Sequence, residues 1–172
     1  KITGYLHAKC AGRTEYKGLR NMSAGINFLN NRHPESCMQI AGDLNDFGKY
    51  VDDLHVLPVY GGASIENQIK ALKKGVQIVV ATPGRLLDFS QQGKLDLKKI
   101  GILVIDEADR LFDMGFLPDI RRLIKKMPPY QERRTMLFSA TLDSRVKELA
   151  WEHMNDPAEI KIAPEKVTVE TV

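Results

Sequence analysis

Cysteine is scarce in this chain: only Cys10 and Cys37 occur among 172 residues. Two are too few for the disulfide framework of a small secreted domain, which predicts a reducing compartment, cytoplasmic or else nuclear. Long apolar runs are missing as well. None approaches the roughly 20 residues that a membrane-spanning helix needs, and no leader pattern opens the sequence. Charge of one sign is not in large excess, because the net value is +3. That permits phosphate binding without pointing to it. Internal repeats and low-complexity tracts are also lacking. What is present is ordinary for a globular protein, with 43% hydrophobic and 27% charged residues in one domain's length of chain.

The pattern of apolar residues becomes informative after Glu35. Cys37, Ile40, Ala41, Leu44, then Phe47 or Gly48, and Val51 share one helical face. Val56-Leu57-Pro58-Val59-Tyr60 reads as a strand stopped by Gly61-Gly62. Ile65, Ile69 and Leu72 space a second helix, closed by Lys73-Lys74-Gly75 as C-terminal cations and a glycine stop favour. Ile78-Val79-Val80-Ala81 and Ile102-Leu103-Val104-Ile105 are uninterrupted apolar runs, the mark of strands buried on both faces. Ile120, Leu123, Ile124 and Met127 give another amphipathic helix, ended by Pro128-Pro129. Thr135-Met136-Leu137-Phe138 is the next strand; Val146, Leu149 and Ala150 mark a helix, and Glu159-Ile160-Lys161-Ile162 a last strand. This alternation predicts an α/β fold, a parallel sheet with helices on both faces.

The polar signatures collect where strands end. Gly61-Gly62, Thr82-Pro83-Gly84-Arg85, Asp106-Glu107-Ala108-Asp109 and Ser139-Ala140-Thr141 each follow a strand directly. In a parallel sheet all four lie at the carboxyl edge, where open α/β folds bind ligands. Glycines at 61, 62 and 84 admit a ligand's backbone or phosphate, and Arg85 offers a bidentate fork for phosphate. Three carboxylates after a buried strand are costly unless a cation or hydrogen bonds offset them. A hard cation shared with substrate phosphates suits them. A solvated turn would account for any one of these signatures alone, and for Gly61-Gly62 alone it is the better account. Four at successive strand ends are poorly explained by turns.

Residues 1–36 carry little pattern. Tyr5-Leu6 and Ile26-Asn27-Phe28-Leu29 are their only apolar clusters, and neither reads as a convincing buried strand. The segment from Gly12 to Gly18 fails as a phosphate loop, because Lys17 is followed by Gly18 and Leu19 rather than by Ser or Thr. His7, Cys10, His33 and Cys37 could be written as four zinc ligands, but mixed pairs across a long gap are better read as unrelated residues.

The strand-end motifs, in this order and spacing, resemble the first RecA-like domain of a DEAD-box RNA helicase, from about residue 39 to 162. The Gln68 to Gly75 segment and Met114-Gly115-Phe116 extend the likeness. The resemblance implies an ATP-dependent RNA helicase, with ATP and Mg2+ as ligands. By it, Asp106 would hold Mg2+ through water and Glu107 would orient the water that attacks the γ-phosphate. Asp109 would pair with Ser139 and Thr141, coupling nucleotide state to RNA. Gly61, Gly62, Thr82, Pro83, Gly84 and Arg85, on two loops, would hold the backbone of single-stranded or duplex RNA. Duplex opening in this family uses closure onto a second RecA-like domain.

The departures are equally specific. No adenine-recognising Gln segment and no phosphate loop are found, and the place of a Pro-Thr-Arg-Glu-Leu-Ala segment reads His33-Pro34-Glu35-Ser36-Cys37. The second domain and its arginines are also not found. These predict residues 1–36 as an atypical segment, 37–163 as a partial RecA-like domain lacking N-terminal strands, and 164–172 as a tail or linker. A foreign or frame-shifted replacement would explain the first segment: one base lost from codons for Thr-Arg-Glu yields His-Pro-Glu. The chain alone is expected to be inactive. A non-catalytic RNA-binding or regulatory module is the alternative, and a DNA-directed ATPase a weaker third.

Overall fold

The computed structural model describes residues 34–162 and, before them, the backbone of two short strands, β1 (Thr3–Leu6) and β2 (Ile26–Leu29). The later elements are α1 (Pro34–Phe47), β3 (Val56–Val59), α2 (Ile65–Lys74), β4 (Ile78–Ala81), α3 (Pro83–Gln91) and β5 (Ile102–Ile105). They continue with α4 (Ala108–Asp113), α5 (Leu117–Ile124), β6 (Arg134–Ser139), α6 (Ser144–His153) and β7 (Ala158–Ile160). The described strands form one sheet in the order β3-β4-β2-β5-β6-β1-β7. Strands β3, β4, β2, β5 and β6 run parallel, while β1 pairs antiparallel with both β6 and β7.

The two apolar clusters of the N-terminal segment are therefore strands, contrary to the sequence reading, and the sheet has more than its parallel part. β2 is hydrogen-bonded on both sides, to β4 and to β5. A ladder on each side satisfies every backbone group of a short strand, which no periodicity within four residues reveals. β1 adds an antiparallel strand between β6 and the edge strand β7, making the sheet a mixed one.

The sheet alternates as a pleat requires. Ile78 and Val80 face α1 with Cys37 and Ala41 in one cluster; Val79 and Ala81 face the larger cluster, with Leu86, Phe89, Leu103, Ile105, Leu111, Ile120 and Leu123. Helices cover both faces as expected. Gly48, not Phe47, continues the inward side of α1: a Cβ at Gly48 would lie 2.3 Å from Leu54 Cδ2, whereas Phe47 is 83% exposed. The last strand is one residue earlier and shorter than its apolar pattern suggested. Among the described residues no helix is long and apolar enough to cross a membrane.

Candidate functional site

The parallel strands end together, and their sequels form two groups. Val59 of β3 and Ala81 of β4 are register partners, so Gly61-Gly62 and Thr82 are neighbours; Thr82 N–H donates to the Val59 carbonyl at 3.0 Å. On β5 and β6, Ile105 pairs with Leu137, bringing the acidic turn beside Ser139. Between the groups runs β2, whose Leu29 is paired with both Ala81 and Ile105.

The acidic group surrounds a cavity of about 320 Å³ lined by Asp106, Glu107, Asp109, Arg110, Phe138, Ser139 and Ala140. Asp106 Oδ1 accepts the Glu107 N–H at 2.9 Å. Burial raises the Asp106 carboxyl above its ordinary pKa, and the charges of Glu107 and Asp109 raise it further, against that backbone bond. Such a carboxyl gains from a nearby cation. Glu107 has left-handed backbone, φ 48° and ψ 47°, at the start of α4. A non-glycine residue there is strained, and strain of this kind persists where surrounding structure imposes it. Arg110 lies 3.5 Å from its carboxylate. Asp109 ties the group together: its N–H donates to Ser139 Oγ at 3.2 Å, and its Oδ2 accepts the Thr141 N–H and hydroxyl, each at 3.1 Å.

The second group lines a shallower cavity of about 360 Å³ with Gly61, Thr82, Gly84, Arg85, Asp88 and Phe116. Here one sequence expectation is corrected. Residues 82–85 are not a loop: Thr82 is the N-cap and Pro83 opens α3, because proline's fixed φ and missing N–H suit the first helical position. A Cβ on Gly61 or Gly84 would meet no atom within 4 Å, so internal crowding does not demand glycine at either place. Gly62, exposed beside Gly61, needs its φ of 89°. The Arg85 guanidinium lies over the Phe89 ring at 5.4 Å, and its Nη1 is buried without an acceptor among the described residues.

Three further residues bear on the site, of which the sequence carried Gln68 and Phe116 only as parts of the family likeness. Asp88 and Phe116 line the second cavity, and Gln68 is buried behind Gly61-Gly62 with Nε2 donating to the Tyr60 carbonyl at 3.2 Å. Gln68 could have been noticed as a polar residue on the helical side it shares with Leu72, which packs on the core. Of the four zinc candidates, His7, Cys10 and His33 lie outside the described residues. Cys37 is a free, buried thiol whose pKa burial pushes to about 11.

A mostly parallel sheet with an acidic turn and a hydroxyl-bearing strand end side by side at its carboxyl edge defines a RecA-like α/β domain. The sequence profile of the family "DEAD/DEAH box helicase" matches residues 34–149, and the chain belongs to that family. It is similar to the ATP-dependent RNA helicase RhlB of Shewanella denitrificans, 47% identical over 138 residues, or 80% of this chain and 32% of the relative. The RhlB of Shewanella amazonensis is 49% identical over 134 residues, 78% of this chain and 30% of that protein. The chain thus spans about a third of the length of these relatives. Among solved structures, a DEAD box protein from Methanococcus jannaschii superposes with a TM-score of 0.72 at 35% identity, over 79% of this chain and 36% of that one. A hypothetical ATP-dependent RNA helicase from Sulfolobus tokodaii gives 0.68 at 36% identity, over 77% and 38%.

Proposed function

We propose that this chain is part of an ATP-dependent RNA helicase and contributes the catalytic acids and one RNA-contacting surface of its first RecA-like domain. The observation that carries the reading is the grouping of four strand-end motifs on one edge. The acids and hydroxyls stand at the ends of β5 and β6, and the glycines and Arg85 just after β3 and β4. The domain proper is taken as 37–163, close to the span of the family match, with 1–36 as an atypical segment and 164–172 as a tail.

The donor set fits a magnesium nucleotide. Asp106 is a partly buried carboxyl whose charge is unfavourable by itself, and Mg2+ is ordinarily held by one or two carboxylates, waters and substrate phosphates. When bound, Mg2+ would neutralise charge on the ATP phosphates. Asp106 would hold the metal through its waters, and Glu107 would orient the water that attacks the γ-phosphate. Asp109 reports the state of that site to β6 through Ser139 and Thr141. Across β2, the exposed Gly61, Gly62 and Gly84 give room for an RNA backbone, and Thr82 and Pro83 start α3 beside them. Arg85 adds a charged fork. Contacts of this kind fix position without reading bases. The complete machine uses a second RecA-like domain as partner, and we place the protein in the cytoplasm.

Equilibrium binding of labelled single-stranded RNA and of a magnesium ATP analogue tests the reading. RNA affinity that falls in Arg85→Ala, together with nucleotide affinity that falls in Asp106→Asn, is expected. RNA affinity without nucleotide affinity would favour a non-catalytic RNA-binding module, and the lack of both would sink the proposal.

A further inference from the structure

Gln68 is 6% exposed, yet it hydrogen-bonds with only half of its amide. Nε2 donates to the Tyr60 carbonyl at 3.2 Å, and Oε1 is buried with no partner among the described residues. Tyr60 is the residue immediately before Gly61-Gly62, and the turn is anchored at its far end by Ser64. The Ser64 Oγ accepts the Asn67 N–H at 3.3 Å, and the Ser64 carbonyl accepts the Gln68 N–H at 3.3 Å. Residues 60–64 therefore hang between two fixed points, and the side chain of Gln68 makes one of them. The glycines between are not crowded: a Cβ on either would meet no atom of the described residues within 4 Å. Without such an anchor, two adjacent glycines would sample a wide range of backbone conformations.

A stability role does not account for this residue. A buried amide with an unsatisfied oxygen is costly, and an apolar side chain of similar volume avoids that cost. Methionine in the same place would fill a similar buried volume without desolvating a polar group.

We infer that Gln68 is the positioning residue of the Gly61-Gly62 turn: its buried amide holds the Tyr60 carbonyl so that the turn is preorganised for RNA phosphate. The inference rests on the reading of this edge as an RNA surface. Preorganisation lowers the ordering cost paid on binding. It also explains why a poorly satisfied amide is retained where a hydrocarbon would be more stable.

The test uses the full chain and two variants. Gln68→Met keeps volume and removes the donor; Gln68→Glu restores a donor only when its carboxyl is protonated, which burial favours. In Gln68→Met, thermal stability should hold or rise, while the amide order parameters of Gly61 and Gly62 fall toward the mobile range below about 0.6. RNA affinity should weaken roughly threefold to tenfold, the loss of one neutral hydrogen bond. In Gln68→Glu, both order and affinity, taken relative to the wild type, should recover as the pH is lowered. Unchanged order parameters in Gln68→Met would overturn the inference, as would a general loss of stability with no pH-dependent rescue in Gln68→Glu. If the wild type itself fails to bind RNA, the reading of the edge falls, while the order parameters and their rescue still decide the role of Gln68.

Discussion

Asp109 and Thr141 are joined twice. One carboxylate oxygen, Oδ2, accepts both the backbone N–H and the hydroxyl of Thr141 at 3.1 Å, across 32 positions of chain. With the Asp109 N–H donated to Ser139 Oγ, the first turn of α4 is fastened to the end of β6. The acids that begin α4 cannot move independently of Ser139-Ala140-Thr141. Thr141→Val removes one of the two bonds and should cost about 0.5–1.5 kcal/mol in urea unfolding. A double-mutant cycle with Asp109→Ala should return a coupling of about 0.5 kcal/mol or more. A coupling indistinguishable from zero would mean that the contact contributes nothing in solution.

Asp106 should make stability depend on pH in an unusual direction for a carboxylate. Burial, aided by Glu107 and Asp109, raises its pKa in the folded state. The folded chain then binds this proton more readily than the unfolded one. Its contribution is fully present below the unfolded carboxyl value and is lost as pH rises through the folded value. Asp106→Asn removes the charge at nearly constant shape. The variant should be more stable than the wild type by about 0.5–2 kcal/mol near neutral pH, the usual gain from relieving one such defect. The gain should shrink below about pH 4, near the ordinary Asp value. Equal gains at both pH values would show that charge is not the cause.

Arg85 is expected to act on RNA through charge and position. Its guanidinium is oriented over Phe89 and keeps a buried Nη1 without an acceptor among the described residues. Arg85→Ala should weaken binding of different single strands about equally and reduce the salt slope by roughly one phosphate contact. Anisotropy titrations with several oligonucleotides at several salt concentrations measure both. A sharp dependence on base sequence would point to edge recognition instead.

ATP turnover by this chain alone should stay at background. Phosphoryl transfer relies on a glycine-rich loop and its lysine around the β- and γ-phosphates, and no segment of these 172 residues has that spacing. Each charge-assisted bond of that kind contributes about 1.5–3 kcal/mol. Two lost bonds would slow the reaction by roughly a hundredfold or more. Phosphate release in the presence of RNA is the measurement, beside Glu107→Gln. Release near one per second, at the low end of typical enzyme rates, that disappears in Glu107→Gln would reveal a phosphate site of another kind.

Local chemistry determined much of this protein from sequence alone. Ile78-Val79-Val80-Ala81 and Ile102-Leu103-Val104-Ile105 are strands because unbroken β-branched runs suit a sheet buried on both faces. The order of motifs at their ends carried the family. Gly61-Gly62 stops β3 and Gly75 ends α2 as the turn and cap chemistry of glycine predicts. Each of these depends on a residue and its immediate neighbours.

The tertiary structure alone decided how those pieces face one another. Ile26–Leu29 became a central strand because β4 and β5 offer it two ladders, a gain that no four-residue pattern contains. The insertion of β2 divides the motif edge into two groups, which spacing along the chain could not show. Phe47 turns out to water and Gly48 inward because Leu54, distant enough to return from the next loop, occupies the space beside the helix. Gln68 likewise looks like any polar helix residue until β3 brings the Tyr60 carbonyl to its amide. Strand pairing and packing are interactions between remote segments, and their free energy is settled only when those segments meet.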